Sequence, residues 1–159
     1  MIEKARLEDL PEILGVYEAA REFMRTHGNS TQWGTTYPTE RMLREDIAAG
    51  ELYIIRENGA IHGCFLMMER PEPTYQVIDG AWKTDGPYLT LHRVAGDGQV
   101  RGVFDAMLDF AKARSGHIRL DTHHNNVVMQ HLAERSGFQR CGIVYMEDGT
   151  PRIAYEWFQ

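Results

Sequence analysis

No stretch of the 159 residues approaches the ~20 consecutive apolar positions of a membrane span. The opening MIEKARLEDL also lacks the apolar segment of a secretory signal. The expectation is a cytoplasmic protein with no membrane partner. Basic residues are in the minority, 17 Lys and Arg against 23 Asp and Glu, for a net charge of −6. Nucleic-acid binders usually present a basic face, so this balance argues against one. Cysteine is scarce: Cys64 and Cys141 stand far apart with no CxxC spacing, which excludes a disulfide scaffold and reads as two buried, reduced thiols. Repeats, low-complexity tracts and linkers are absent. What remains is 43% hydrophobic and 25% charged, an ordinary globular balance. It is too apolar for disorder, and the length suits one domain over residues 1–159.

Periodicity divides the chain. Residues 2–6 alternate as a short strand, and residues 9–26 carry Leu10, Ile13, Leu14, Val16, Tyr17, Ala20, Phe23 and Met24 at the spacing of one helix face. Pro11 lies in the first turn of that helix, and His27-Gly28-Asn29 end it. A polar loop over 29–38 holds Trp33 and Tyr37 as exposed-type aromatics, before a second helix over 39–49 stopped by Gly50. Asn58-Gly59 joins the β-rich runs 51–57 and 60–69 as a two-residue hairpin. Residues 70–87 read as irregular. Then follow a strand over 88–95, a helix over 102–114, a strand over 117–122 and a helix over 126–136 with Val127, Val128, Met129, Leu132 and Ala133 as its apolar set. Two strands, 138–146 and 151–158, close the chain around the turn 147–150. The order β-α-α-β-β-β-α-β-α-β-β predicts a layered α/β domain, a mixed sheet with helices on both faces and one parallel βαβ crossover.

The strand over 88–95 runs into Gly96-Asp97-Gly98-Gln99-Val100-Arg101-Gly102, and a helix opens at once. Such a turn presents unpaired backbone N–H groups at the positive end of a helix dipole, which suits a pyrophosphate. Arg101 adds a candidate charge-assisted contact. Neither the dinucleotide fingerprint GxGxxG nor a Walker sequence is matched.

Three stretches together resemble the GCN5-related N-acetyltransferase (GNAT) family. Gln99-Val100-Arg101-Gly102-Val103-Phe104 is similar to the family's coenzyme A loop, Q/R-x-x-G-x-G/A, at its first two fixed positions, with Phe104 at the third. Asn126 is followed about twelve residues on by Gly137-Phe138, as in the family's later motif. The resemblance covers essentially the whole chain. It implies a single three-layer domain whose mixed, mostly antiparallel sheet splays into a V. It implies acetyl transfer from acetyl-CoA, as co-substrate, to a primary amine of a small molecule by direct attack in a ternary complex. Homodimers are common in the family. The alternatives are a non-catalytic acyl-CoA-binding or sensory domain, and acetylation of a protein N-terminus or lysine. Phe104 and Ala133, the latter standing where many members have a tyrosine acting as general acid, are the departures that motivate the first of these.

By the same resemblance, backbone of Arg93, Val94 and Ala95 meets the pantetheine arm and thioester, Gln99 to Phe104 meet the pyrophosphate, and Asn126 and Met129 complete the coenzyme contacts. Acyl transfer to an amine needs positioning, an acceptor for the ammonium proton and donors for the oxyanion. His92 and Asp121 are the candidate bases, with a water chain as the other route for the proton, and each residue has a structural alternative: a histidine bonded within the sheet, and a helix cap. For the acceptor, Gln32, Trp33, Tyr37, Tyr88 and His123 are the candidates, since aromatic rings attract ammonium groups. His123, His124 and His131 have no close cysteine or HExxH companion, so no metal is expected.

Overall fold

Asn58 and Gly59 both adopt positive φ, 53° and 82°, the conformation that a type I′ turn demands. They join the second and third strands of a three-stranded antiparallel ladder. In the computed structural model, which describes residues 1–159, the elements are β1 (Ile2–Lys4), α1 (Leu10–Thr26), α2 (Glu40–Ala48), β2 (Leu52–Glu57), β3 (Ala60–Met68), β4 (Asp79–Gly80), β5 (Leu89–Gly96), α3 (Val103–Lys112), β6 (His117–Thr122), α4 (Val127–Arg135), β7 (Gln139–Tyr145) and β8 (Pro151–Phe158). Short 3-10 turns occupy Leu7–Asp9 and Pro73–Tyr75. The chain forms two compact units, Met1–Met67 with His92–Phe110, and Met68–Leu91 with Ala111–Gln159. Strand β5 contributes to both, which gives eight strands in a mixed sheet.

In the first unit the strand order is β1-β2-β3-β5. Strand alternation splits β2 between two faces. Leu52 and Ile54 join Ile13, Val16 and Tyr17 of α1 and Leu43 of α2 in one buried cluster. Tyr53 points the other way, stacked on Phe65 with Phe110 of α3 against both rings. Gly63 lies opposite Ile55 in the ladder on that same side. A Cβ there would meet Val103 Cγ1 at 2.7 Å, so glycine is what lets α3 approach. Thr39 caps α2, its hydroxyl accepting the Met42 N–H at 3.2 Å.

In the second unit the order is β5-β6-β8-β7-β4. β5 and β6 run parallel, with Leu89 beside Ile118 and Thr90 beside Arg119, and α3 is the connection between them. This is the expected βαβ crossover. β6 sends Ile118, Leu120 and Thr122 to one face and His117, Arg119 and Asp121 to the other. Segment 73–88 covers the polar-bearing face through Tyr75, Ile78, Trp82 and Tyr88, packed with Val144 and Ala154.

Four expectations need correction. The first strand ends at Lys4, because Arg6 already starts a turn in which Asp9 accepts its N–H at 2.8 Å. Phe23 is exposed and stacks on His27 rather than entering the core. Val127 and Val128 are exposed too: they fill the first turn of a nine-residue helix whose buried side is set by Ala133. Residues 70–87 contain β4, which pairs with β7 through Gly80 and Gly142. There a Cβ on Gly142 would lie 2.1 Å from the Asp79 carbonyl oxygen, a separation only glycine permits. Cys64 and Cys141 are both free and buried, and burial pushes both thiols up from their ordinary range.

Candidate functional site

The first unit holds the glycine-rich turn. Gly98 and Gly102 both have φ of 77°, a backbone region that L side chains avoid. Asp97 organises the turn: one carboxylate oxygen accepts the Gln99 N–H at 2.9 Å, the other meets His62 Nδ1 at 2.8 Å, and its N–H donates to the His62 carbonyl. The Gly102 carbonyl accepts the Ala106 N–H at 2.9 Å and so starts α3, whose first-turn N–H groups have no partner within the helix. Arg101 is exposed, and Phe104 is buried in the core. The Phe104 ring therefore leaves the turn's backbone uncovered. Two left-handed glycines, a helix start and a free-standing arginine fit a pyrophosphate.

Just upstream, β5 is distorted. Arg93 has φ of 51°, the left-handed region, which costs a non-glycine residue on the order of 1–2 kcal/mol. Several groups hold it. The Tyr17 hydroxyl donates to the Arg93 carbonyl at 2.6 Å. The guanidinium pairs with Asp46 of α2, donates from Nε to the Tyr37 hydroxyl at 3.0 Å and lies over the Tyr37 ring. Trp33 packs between the rings of Tyr17 and Tyr37, at 5.8 and 5.9 Å. Trp33 and Tyr37 are accordingly half-buried, not exposed, and Gln32 accepts a hydrogen bond from Asn29 at 2.8 Å. Of the expected residues, the first unit thus brings Trp33, Tyr37 and Arg93 into direct contact. His92, Val94 and Ala95 share β5 with Arg93, His92 being half-buried.

The second unit holds Asp121, half-buried on β6, which accepts the Tyr75 hydroxyl at 2.6 Å. Burial, then the Asp121 charge, raise the Tyr75 phenol well above its ordinary range, so Tyr75 is a neutral donor. His123 accepts the Asn125 N–H at Nδ1, and burial together with Arg152 lowers its pKa, which favours the neutral imidazole. Asn126 is the N-cap of α4, its Oδ1 accepting the Met129 N–H at 3.1 Å. Tyr88 accepts the Glu72 N–H through its hydroxyl and covers Arg119 with its ring.

Arg119 and Glu156 form a second charged centre. The Arg119 guanidinium lies between Trp82 and Tyr88, 4.1 and 4.2 Å from the ring centres, and Nε donates to Glu156 at 2.7 Å. Glu156 also meets His117 Nε2 at 2.7 Å and accepts the backbone N–H groups of Lys83 and Thr84. Burial opposes ionisation of Glu156, but the His117, Arg119 and Lys83 hydrogen bonds outweigh it and hold the carboxyl below its usual range. Tyr17, Asp46, Arg119 and Glu156 were not expected from sequence. The periodicities mark Tyr17 as core without revealing that its hydroxyl reaches a strand carbonyl.

No protein-family model and no curated protein matches the chain. Solved structures do. A GNAT-family acetyltransferase from Streptococcus agalactiae is 29% identical, with TM-score 0.89 over 100% of this chain and 95% of that one. GNAT-family acetyltransferases from Listeria monocytogenes and Bacillus cereus are 22% and 20% identical, with TM-scores of 0.69 and 0.64, each over 100% of this chain and 94% and 96% of theirs. With its parallel β5–α3–β6 crossover and this likeness along its full length, the chain has the GCN5-related N-acetyltransferase fold.

Proposed function

We propose that the protein is an N-acetyltransferase that moves an acetyl group from acetyl-CoA to a primary amine of a small molecule, by direct attack in a ternary complex. The observation that carries this reading is the turn over 96–102 opening α3, in a chain that follows a GNAT-family acetyltransferase over its full length. In this reading the backbone of Gln99, Val100, Gly102, Val103 and Phe104, with the Arg101 side chain, holds the pyrophosphate. Backbone of Arg93, Val94 and Ala95 aligns the thioester arm, and Asn126 and Met129 add contacts from the start of α4. No metal takes part. Gln32, Trp33, Tyr37, Tyr88 and His123 receive the acceptor.

The amine nitrogen attacks the thioester carbon, a C–N bond forms, and the carbonyl π pair moves onto oxygen. Collapse then expels the thiolate as the C–S bond breaks. The nitrogen loses one proton to a base before attack and another as the amide forms, and one proton ends on the departing sulfur. His92 and Asp121 are the bases we propose, Asp121 held in place by Tyr75. Replacing the working base, by His92→Gln or Asp121→Asn, is expected to lower kcat by roughly 10²–10⁴. If both variants turn over like the wild type, neither residue is the base.

Calorimetric titration with acetyl-CoA and a thiol-release assay test the reading together, using a panel of small primary amines alongside peptides with a free N-terminus or a lysine. Binding with turnover of small amines is expected. No binding at millimolar acetyl-CoA overturns the reading, binding without turnover makes the chain a sensory module, and preference for peptides moves the acceptor to proteins.

A further inference from the structure

We infer that Tyr17 is a positioning residue for acyl transfer: its hydroxyl pins the peptide joining Arg93 to Val94, and thereby sets the Val94 N–H as the donor to the thioester oxygen. The inference rests on the acetyltransferase reading. Its grounds lie in one strand and the helix packed on it. Arg93 is a non-glycine residue at positive φ in the middle of β5, where regular strand geometry would point its carbonyl along the ladder. The carbonyl is instead capped at 2.6 Å by a hydroxyl from α1, 76 residues away in sequence. The Arg93 side chain is held separately by Asp46 and Tyr37. A strained residue this heavily restrained marks a conformation that the fold maintains for a purpose.

The geometry supplies the purpose. The 93–94 peptide is trans, so its N–H points opposite to its C=O. Fixing the carbonyl toward Tyr17 fixes the Val94 N–H away from α1. A donor held this way needs no reorganisation as negative charge gathers on the carbonyl oxygen during amine attack. Tyr17 itself stays outside the reaction. It is fully buried, and burial raises its phenol well above the ordinary range, so it donates in the same neutral form at every working pH.

Tyr17→Phe removes the hydroxyl and keeps the ring against Trp33. It is expected to lower kcat by about tenfold, a fraction of the 10²–10³ lost when an oxyanion donor is removed outright. The deficit is expected to be constant across pH 6–9, with affinity for free coenzyme A, which has no acyl carbonyl, changed less than about twofold. A variant that loses coenzyme affinity in step with kcat, or that keeps full kcat, overturns the inference. A second measurement avoids the variant's folding: in ¹⁵N-valine-labelled wild-type protein, the Val94 amide proton should shift downfield with a ketone analogue of acetyl-CoA and not with coenzyme A. An amide unmoved by the analogue also overturns the inference. A wild-type protein that neither binds nor consumes acetyl-CoA overturns the acetyltransferase reading and this inference with it. Wild-type turnover with a failed Tyr17 result overturns the inference alone.

Discussion

Glu156→Gln is expected to destabilise the protein by about 3–5 kcal/mol, the usual consequence of leaving a buried charge without its partner. The glutamine keeps an oxygen for the Lys83 and Thr84 N–H groups but removes the negative charge that meets Arg119 and His117. Arg119 cannot swing to solvent cheaply, because the rings of Trp82 and Tyr88 both pack against its guanidinium and its Nη2 donates to the Thr84 carbonyl at 2.7 Å. Urea unfolding at neutral pH measures the loss, and a change below about 1 kcal/mol would show that the charge is compensated elsewhere. Adding Arg119→Met to Glu156→Gln should recover part of the stability, since the orphaned cation is then gone. The pH dependence has a definite sign. A carboxyl depressed in the folded state contributes its full stability above its unfolded value, ordinarily 4.5, and loses it as pH falls through the lower folded value. Wild-type stability should therefore fall in that acid window, and the Gln variant should fall less.

The same centre shows what sequence could and could not disclose. Alternation in HIRLDT predicts the β6 strand, and it places His117, Arg119 and Asp121 on one face. It does not say that this face is roofed by an irregular segment, because residues 70–87 have no period to read. Arg119 and Glu156 are 37 apart in sequence, Tyr75 and Asp121 are 46 apart, and Tyr17 and Arg93 are 76 apart. Local pattern does not reach such distances. Element order, the Asn58-Gly59 hairpin and the glycine turn were legible because each is a short-range steric demand. The exposed Val127 and Val128 mark the opposite failure: a nine-residue helix has too few turns for its apolar residues to fix which side faces inward. The two-residue β4 is shorter than any period.

Gly102→Val is expected to weaken acetyl-CoA binding by at least about 100-fold, equivalent to losing two hydrogen bonds to charged groups at roughly 1.5–3 kcal/mol each. The reason is local. Gly102 has φ of 77°, and a β-branched residue reaches that conformation only with strain, so the turn relaxes and its N–H groups no longer converge. Packing is not what fails, because a Cβ at Gly102 meets no atom within 4 Å. That open space makes a matched control available. Gly59, in the β2–β3 hairpin, has φ of 82° and equally open surroundings. Gly59→Val should therefore cost a similar ~1–2 kcal/mol of stability through the same left-handed strain, without touching the turn over 96–102. Equilibrium titration of both variants separates the two effects. If Gly102→Val and Gly59→Val lose melting temperature alike while only the first loses acetyl-CoA, backbone geometry at the start of α3 is what holds the phosphates. Equal coenzyme affinity in the two folded variants would remove the backbone of that turn from the binding site and leave the Arg101 side chain and the start of α4 to account for it.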